Sequence, residues 1–287
     1  MNKLVLAVIV LVFGALSFAE TPNFVGLKTH HAATARSNTK AASRAVTHSR
    51  TPNPQCSFTF TSGNSLTFLQ YCVTANGNII QFETPEDTLL IAAKDLGEGY
   101  GICDATTNVS YSDFGGLGDS GNWNPARVVN HTPTSVKIAR TTADGIWTLT
   151  QTITQVAGSS PSAKIVMALK NNSPDSREAF LLRYADVDAD GELTNSFDAT
   201  LNSAFGWNSF SGGGNPFGLV LQNLGTVTFG YDAFVQGVPD APDPCNPFAR
   251  AIEGPASPID GSLIMFYDIP GIRQAASATV TVAYKGW

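Results

Sequence analysis

From Cys56 onward, apolar and polar residues alternate with a period of two. The clearest run is 146–156. Trp147, Leu149 and Ile153 fall on one face, and Thr148, Thr150, Thr152 and Thr154 on the other. Successive strand side chains point to opposite faces, and β-branched threonine suits a pleated surface. Similar runs predict strands at 66–73, 78–83, 134–140, 163–170, 178–187, 226–231, 262–268 and 278–284. Turn formers separate them, as in Ala75-Asn76-Gly77, Ala143-Asp144-Gly145 and Asn171-Asn172-Ser173-Pro174. No segment carries a sustained helical stripe. The pattern therefore predicts an all-β fold, a large antiparallel β-sandwich over residues 56–287 with about a dozen strands.

The residues before this domain read differently. Lys3 precedes an apolar run over 4–18, and Ser17-Phe18-Ala19 puts small residues where a signal peptidase reads. Residues 1–19 are thus expected to be a signal peptide, cleaved after Ala19, on a secreted or periplasmic protein. The run is shorter than the roughly 20 residues of a membrane-spanning helix, so the chain is not expected to span a membrane. The last strand lacks the outward apolar stripe of a lipid-facing barrel strand. Residues 20–55 are rich in Ala, Thr, Ser, Arg and His without periodicity. They bury too little surface to offset the entropy of ordering, and are expected to form a flexible basic linker.

Four cysteines in an exported chain point to disulfides. Cys56 and Cys72 end two strand-like runs around Ser62-Gly63-Asn64, so a hairpin would bring them close and leave Cys103 for Cys245. Zinc is the rival reading. It lacks a Cys-x-x-Cys spacing and finds only His131 beyond residue 55. Charge divides unevenly. Residues 21–55 carry five Lys or Arg and no acid, whereas residues 56–287 carry 11 Lys or Arg against 22 Asp or Glu, a net of −11. So acidic a body argues against nucleic acid as a partner.

The strongest candidate chemistry is Asp186-Val187-Asp188-Ala189-Asp190-Gly191. Carboxylates at i, i+2 and i+4 followed by glycine open an oxygen-ligand loop for Ca²⁺. Glu192 could add a backbone carbonyl, and Asp198 a carboxylate one place later than in an EF-hand-type loop, where Phe197 stands instead. Continued alternation would put the aspartates on the face of Phe180 and Leu182. Three carboxylates cannot extend an apolar face without a large desolvation cost. Either the strand stops near Asp186 or the carboxylates share a cation. The alternative reading is an acidic turn that caps amides or pairs with Arg183.

A second cluster joins Glu98, Asp104, Asp113 and Asp119 to Tyr100, Tyr111, Phe114 and Trp123, close to a glycine-rich loop over 111–125. Exposed aromatics stack on sugar rings, and paired acids divide the proton-transfer roles of glycoside cleavage. The four aromatics are therefore a candidate ligand surface for a polysaccharide or cell-surface component. A second long loop, 237–261, is rich in Pro and Asp. Anchored through Cys245, it would form a shaped surface. There is no Gly-x-Ser-x-Gly, so a serine-hydrolase reading fails.

Three segments carry a resemblance: Ala75-Asn76-Gly77-Asn78-Ile79-Ile80, Gly97-Glu98-Gly99-Tyr100-Gly101-Ile102-Cys103 and Arg183-Tyr184-Ala185-Asp186-Val187-Asp188. In these the chain loosely resembles uncharacterised exported bacterial β-sandwich proteins, which implies no activity. The favoured expectation is an exported, non-catalytic binding or surface-associated module, Ca²⁺-stabilised. A carbohydrate-active enzyme and a structural component of an extracellular assembly are the alternatives.

Overall fold

The computed structural model describes residues 56–91, 97–208, 217–237, 241–252 and 254–286. The expected signal peptide and linker lie outside them. The fold is all-β and antiparallel, as the alternation predicts. The chain first forms a four-stranded sheet of β1 (Cys56–Ser62), β2 (Leu69–Thr74), β3 (Ile79–Glu83) and β4 (Leu89–Ile91), in that order. It then contributes β5 (Glu98–Asp104), β6 (Val109–Phe114) and β7 (Gly118–Asp119) to a second sheet. A third sheet receives β8 (Arg127–Thr132), β9 (Ser135–Thr141), β10 (Trp147–Val156) and β11 (Ser162–Asn171). The chain returns to the second with β12 (Arg177–Asp186) and to the third with β13 (Asn195–Thr200), β14 (Ser203–Asn208) and β15 (Gly218–Asn223). It crosses again through β16 (Gly230–Gly237), β17 (Ala251–Ile252), β18 (Ala256–Ile259), β19 (Gly261–Ile272) and β20 (Ser277–Gly286). The result is a seven-stranded sheet, β17-β16-β19-β12-β5-β6-β7, facing a nine-stranded sheet, β18-β13-β14-β15-β20-β11-β10-β9-β8.

Alternation sets the packing. On β10, Trp147, Leu149 and Ile153 are buried and the threonines between them half-buried. Its register with β11 sets Leu149 opposite Leu169 and Ile153 opposite Ile165. These residues join Ile102, Leu181, Met265 and Tyr267 of the seven-stranded sheet in one core. Both disulfides form, Cys56–Cys72 and Cys103–Cys245.

Three expectations need correction. Most of 226–231 is not strand, because β16 begins at Gly230. The expected loop 111–125 is partly sheet: 109–114 is β6, Gly118 and Asp119 pair with Phe114 and Asp113, and Trp123 bridges to Thr142. Strand number was underestimated, since β13 to β15 and the short edge strands give no clean alternation. A strand covered on both faces loses the period-two signal as well. On β5 all seven residues are buried.

Candidate functional site

The expected ligand surface is not a surface. Tyr100, Tyr111, Phe114 and Trp123 are 0%, 1%, 4% and 8% exposed. Three of them face the space between the large sheets. There the Tyr100 hydroxyl donates to the Asn76 carbonyl at 2.8 Å. Tyr111 donates to Asp144 at 2.5 Å. Trp123 Nε1 donates to the Ser112 carbonyl at 3.2 Å. Phe114 lies on the opposite face of its sheet, against Tyr184. Aromatic payload drives these rings inward, and buried Tyr and Trp then find partners for their polar tips.

The four acids near them are also buried, and each meets an arginine. Arg140 donates to Asp113 at 2.5 Å and to Asp119 at 2.6 Å, with its guanidinium over the Trp123 ring. Arg177 pairs with Asp104 at 2.6 Å, and Trp147 Nε1 donates to the same carboxylate at 3.2 Å. Arg183 pairs with Glu98, which also accepts from the Ile79 amide at 2.6 Å and from the Tyr284 hydroxyl at 2.9 Å. Burial pushes Glu98 up to about 7, against the downward pull of Arg183 and these donors. Burial also works against the Arg183 charge, but Glu98 beside it holds the guanidinium up. The two directions compete, and the geometry favours the ionised pair, because hydrogen-bond donors converge on the carboxylate. Asp113 is likewise pushed up by burial, to about 6, while Arg140 draws it down.

The turn between β2 and β3 closes this charged layer. The Gly77 carbonyl accepts from Arg183 at 3.2 Å. Asn76 donates to Asp113 at 2.9 Å. Asn78 donates to the carbonyls of Glu98 at 3.3 Å and Asp113 at 3.1 Å. Gly77 has φ of 93°, and a Cβ there would sit 2.6 Å from Gln151 Nε2, so both conformation and space require glycine. The three segments 75–80, 97–103 and 183–188 therefore meet here, as a plug of the sandwich interior. Sequence reasoning missed Arg140, Arg177 and Gln151. For Arg140 and Gln151 the signal is a polar residue in phase with core positions, Val136-x-Ile138-x-Arg140 and Leu149-x-Gln151-x-Ile153, whereas a register shift sets Arg177 apart from the run that follows it.

The five expected Ca²⁺ ligands are not brought together. β12 ends at Asp186, where the apolar face was expected to stop. Asp186 and Asp188 are buried, and Ser262 Oγ lies 3.0 Å from the Tyr184 hydroxyl and 3.4 Å from Asp186 Oδ1. Asp190 adopts φ of 58° and, like Glu192, is exposed. The Glu192 carbonyl accepts from Asn195 Nδ2 at 2.8 Å, and Asp198 accepts from the Ala199 amide at 2.8 Å. Arg183 points to the opposite face and does not pair with the aspartates. Among the described residues no three His, Cys, Asp or Glu side chains are grouped to hold a metal ion. Melting curves in Ca²⁺ and in EDTA are expected to superimpose. A Tm higher by several degrees in Ca²⁺ would restore the calcium brace.

The outer face of the seven-stranded sheet is the other built region. Its rows are set by register: Cys103, Phe180, Asp268 and Gly230 in one, then Gly101, Leu182, Phe266 and Asp232 in the next. The segment 241–252 lies over it. Cys245 is bonded to Cys103, and Phe248 packs on Phe234 and Phe266 with ring centroids 4.8 and 5.0 Å away. Gly101 makes room for this segment, because a Cβ there would sit 2.4 Å from Pro244 Cγ. The glycine-rich motif of β5 is thereby explained: Glu98, Tyr100 and Ile102 face the core, while Gly99 and Gly101 allow close packing outside. Replacing Gly101 by valine is expected to lift the segment and lower stability by about 1–3 kcal/mol, read from the denaturation midpoint.

Asp232 stands on this face beside Phe266, half-buried, and accepts a hydrogen bond from the Ala233 amide. Burial raises its pKa from 3.8 to about 6. A folded pKa above the unfolded one means stability that is full below about 4 and lost as pH rises through about 6. Asp232→Asn is therefore expected to raise Tm at pH 8 and to leave it unchanged at pH 4. The gain is about 1 kcal/mol once partial exposure is discounted.

No protein-family description and no curated protein matches the sequence. Solved structures do match the fold. One is a bacterial glucoamylase in complex with acarbose, at TM-score 0.54 and 14% identity, over 86% of this chain and 35% of that one. The chain thus spans about a third of that protein's length. Another is a putative aldose 1-epimerase from Escherichia coli K12, at TM-score 0.46 and 10% identity, over 80% of this chain and 99% of that one. At these identities the first likeness establishes a shared β-rich fold.

Proposed function

We propose that this chain is an exported, non-catalytic carbohydrate-binding module. One observation carries the absence of chemistry. Glu98, Asp104, Asp113 and Asp119, the acids best suited by sequence to glycoside cleavage, are buried between the sheets, each against an arginine. A general acid must reach its substrate directly or through one water, and among the described residues these four acids are at most 3% exposed. The glucoamylase likeness supports a saccharide as the ligand class, carried over from that protein's name. Two disulfides support an oxidising compartment. Among the described residues no helix is long and apolar enough to cross a membrane.

A glycan array run beside a reducing-end assay on soluble polysaccharides tests the proposal. Retention on at least one glycan class without product release is the expected result. Sustained release of reducing ends by the pure protein would overturn the non-catalytic reading, and a blank array would overturn the carbohydrate reading.

A further inference from the structure

We propose that the outer face of the seven-stranded sheet, at Asp232 beside Phe266, with Phe180 and Phe248 packed on that ring, binds a glycan that carries protonated amines: a polymer of amino sugars with free amino groups. The inference rests on the carbohydrate-binding reading and specifies its ligand.

Three observations meet at this face. The first is an aromatic platform. Phe180 and Phe266 lie 5.3 Å apart between centroids, and Phe266 and Phe248 5.0 Å apart. Phe266 is buried beneath its neighbours, and the half-buried Phe180 and Phe248 are the rings that meet solvent. Such faces stack on the apolar side of a sugar ring and also attract a cation.

The second is the state of Asp232. The acids of the inner layer each have an arginine, whereas no Lys or Arg among the described residues pairs with Asp232. It is nevertheless partly desolvated, and an unpaired carboxylate in such a setting is unfavourable until a cation reaches it. An ammonium group on a bound sugar supplies that cation. A neutral sugar offers only hydroxyls, and an N-acetylated one lacks the charge.

The third is the room and charge around it. Gly230, two residues before Asp232 on the same face, leaves the surface open. A Cβ there would stand at ordinary contact distance from the Asp268 side chain, 3.5 Å from its Cβ, so a side chain at this exposed position has room. Residues 56–287 carry a net charge of −11, and such a body draws a polycation from solution.

Isothermal titration of the full chain at neutral pH with four probes tests this: a glucosamine oligomer, its N-acetylated counterpart, a neutral glucose oligomer and poly-L-lysine. The glucosamine oligomer is expected to bind at least tenfold tighter than the other three. Asp232→Asn, checked for an unchanged fold by circular dichroism, is expected to weaken the glucosamine oligomer about tenfold and the neutral oligomer hardly at all. Phe180→Ala is expected to weaken all sugars together. Equal binding of amine, acetyl and neutral probes, or no effect of Asp232→Asn, would overturn the inference and leave the carbohydrate reading standing. Poly-L-lysine bound as tightly as the glucosamine oligomer would replace the glycan with a basic peptide. Failure of every sugar to bind would remove the carbohydrate reading itself.

Discussion

Replacing Arg183 by methionine is expected to cost about 3–5 kcal/mol of stability, because it leaves a buried carboxylate without its cation. The side chain is fully buried and pairs with Glu98. It also donates to Gln151 and to the Gly77 carbonyl of the β2–β3 turn, so one substitution strips three acceptors. Urea denaturation reads the loss. With the downward pull of Arg183 gone, only burial and the weaker donors act on Glu98, and its pKa rises further. The deficit is therefore expected to be largest at alkaline pH and to shrink as pH falls and Glu98 takes up a proton. The double variant Arg183→Met with Glu98→Gln is expected to recover part of the loss, since it removes the orphaned charge. A single variant as stable as the parent would mean that water reaches this layer and solvates the acid.

Removing the Cys103–Cys245 disulfide is the second large effect. The bond joins residues 142 apart, against 16 for Cys56–Cys72. Loop-closure entropy grows by about 0.6 kcal/mol per doubling of length, so the longer loop is worth roughly 2 kcal/mol more. Paired Cys103→Ala and Cys245→Ala replacements are expected to cost about 2–5 kcal/mol. The local consequence is separate from the entropy. The segment 241–252 loses its anchor over the outer face, and Phe234, Phe248 and Phe266 gain exposure. Dye binding to exposed apolar surface should rise, and limited proteolysis should cut within 241–252 before the rest of the chain. The Cys56/Cys72 pair should produce neither signal. Equal losses from the two pairs would show that unfolded-state closure does not govern this protein's disulfides.

What could be read in the chain depended on the range of the cause. Period-two alternation is local, so β10 and β11 were legible residue by residue. The end of β12 near Asp186 was legible as one of two readings, the other being a shared cation; Asp186 itself still lies buried on the face of Phe180 and Leu182. Strand β14 was not legible, since its buried positions are Ala204, Gly206 and Asn208 while the large Phe205 and Trp207 stand on the half-buried face, which inverts the expected pattern. The candidate site failed for a related reason. Tyr100 and Trp123 stand near Glu98, Asp113 and Asp119 in sequence, which suggested a sugar surface. Arg140 comes from the facing sheet, and Arg183 from a strand paired with β5. Each of these ion pairs closes only after distant strands have met.

By itself, the sequence determined that this protein is an antiparallel β fold whose apolar stripes demand a second layer. Its spacing of cysteines foreshadowed both disulfides. Only the tertiary structure decided which face each acid occupies. It turned Glu98, Asp104, Asp113 and Asp119 inward to arginines and left Asp232 outside beside phenylalanines. The physical reason is that a carboxylate's chemistry is set by solvent and by the nearest cation. Neither is a property of neighbours along the chain; both arise when strands far apart in sequence are laid side by side.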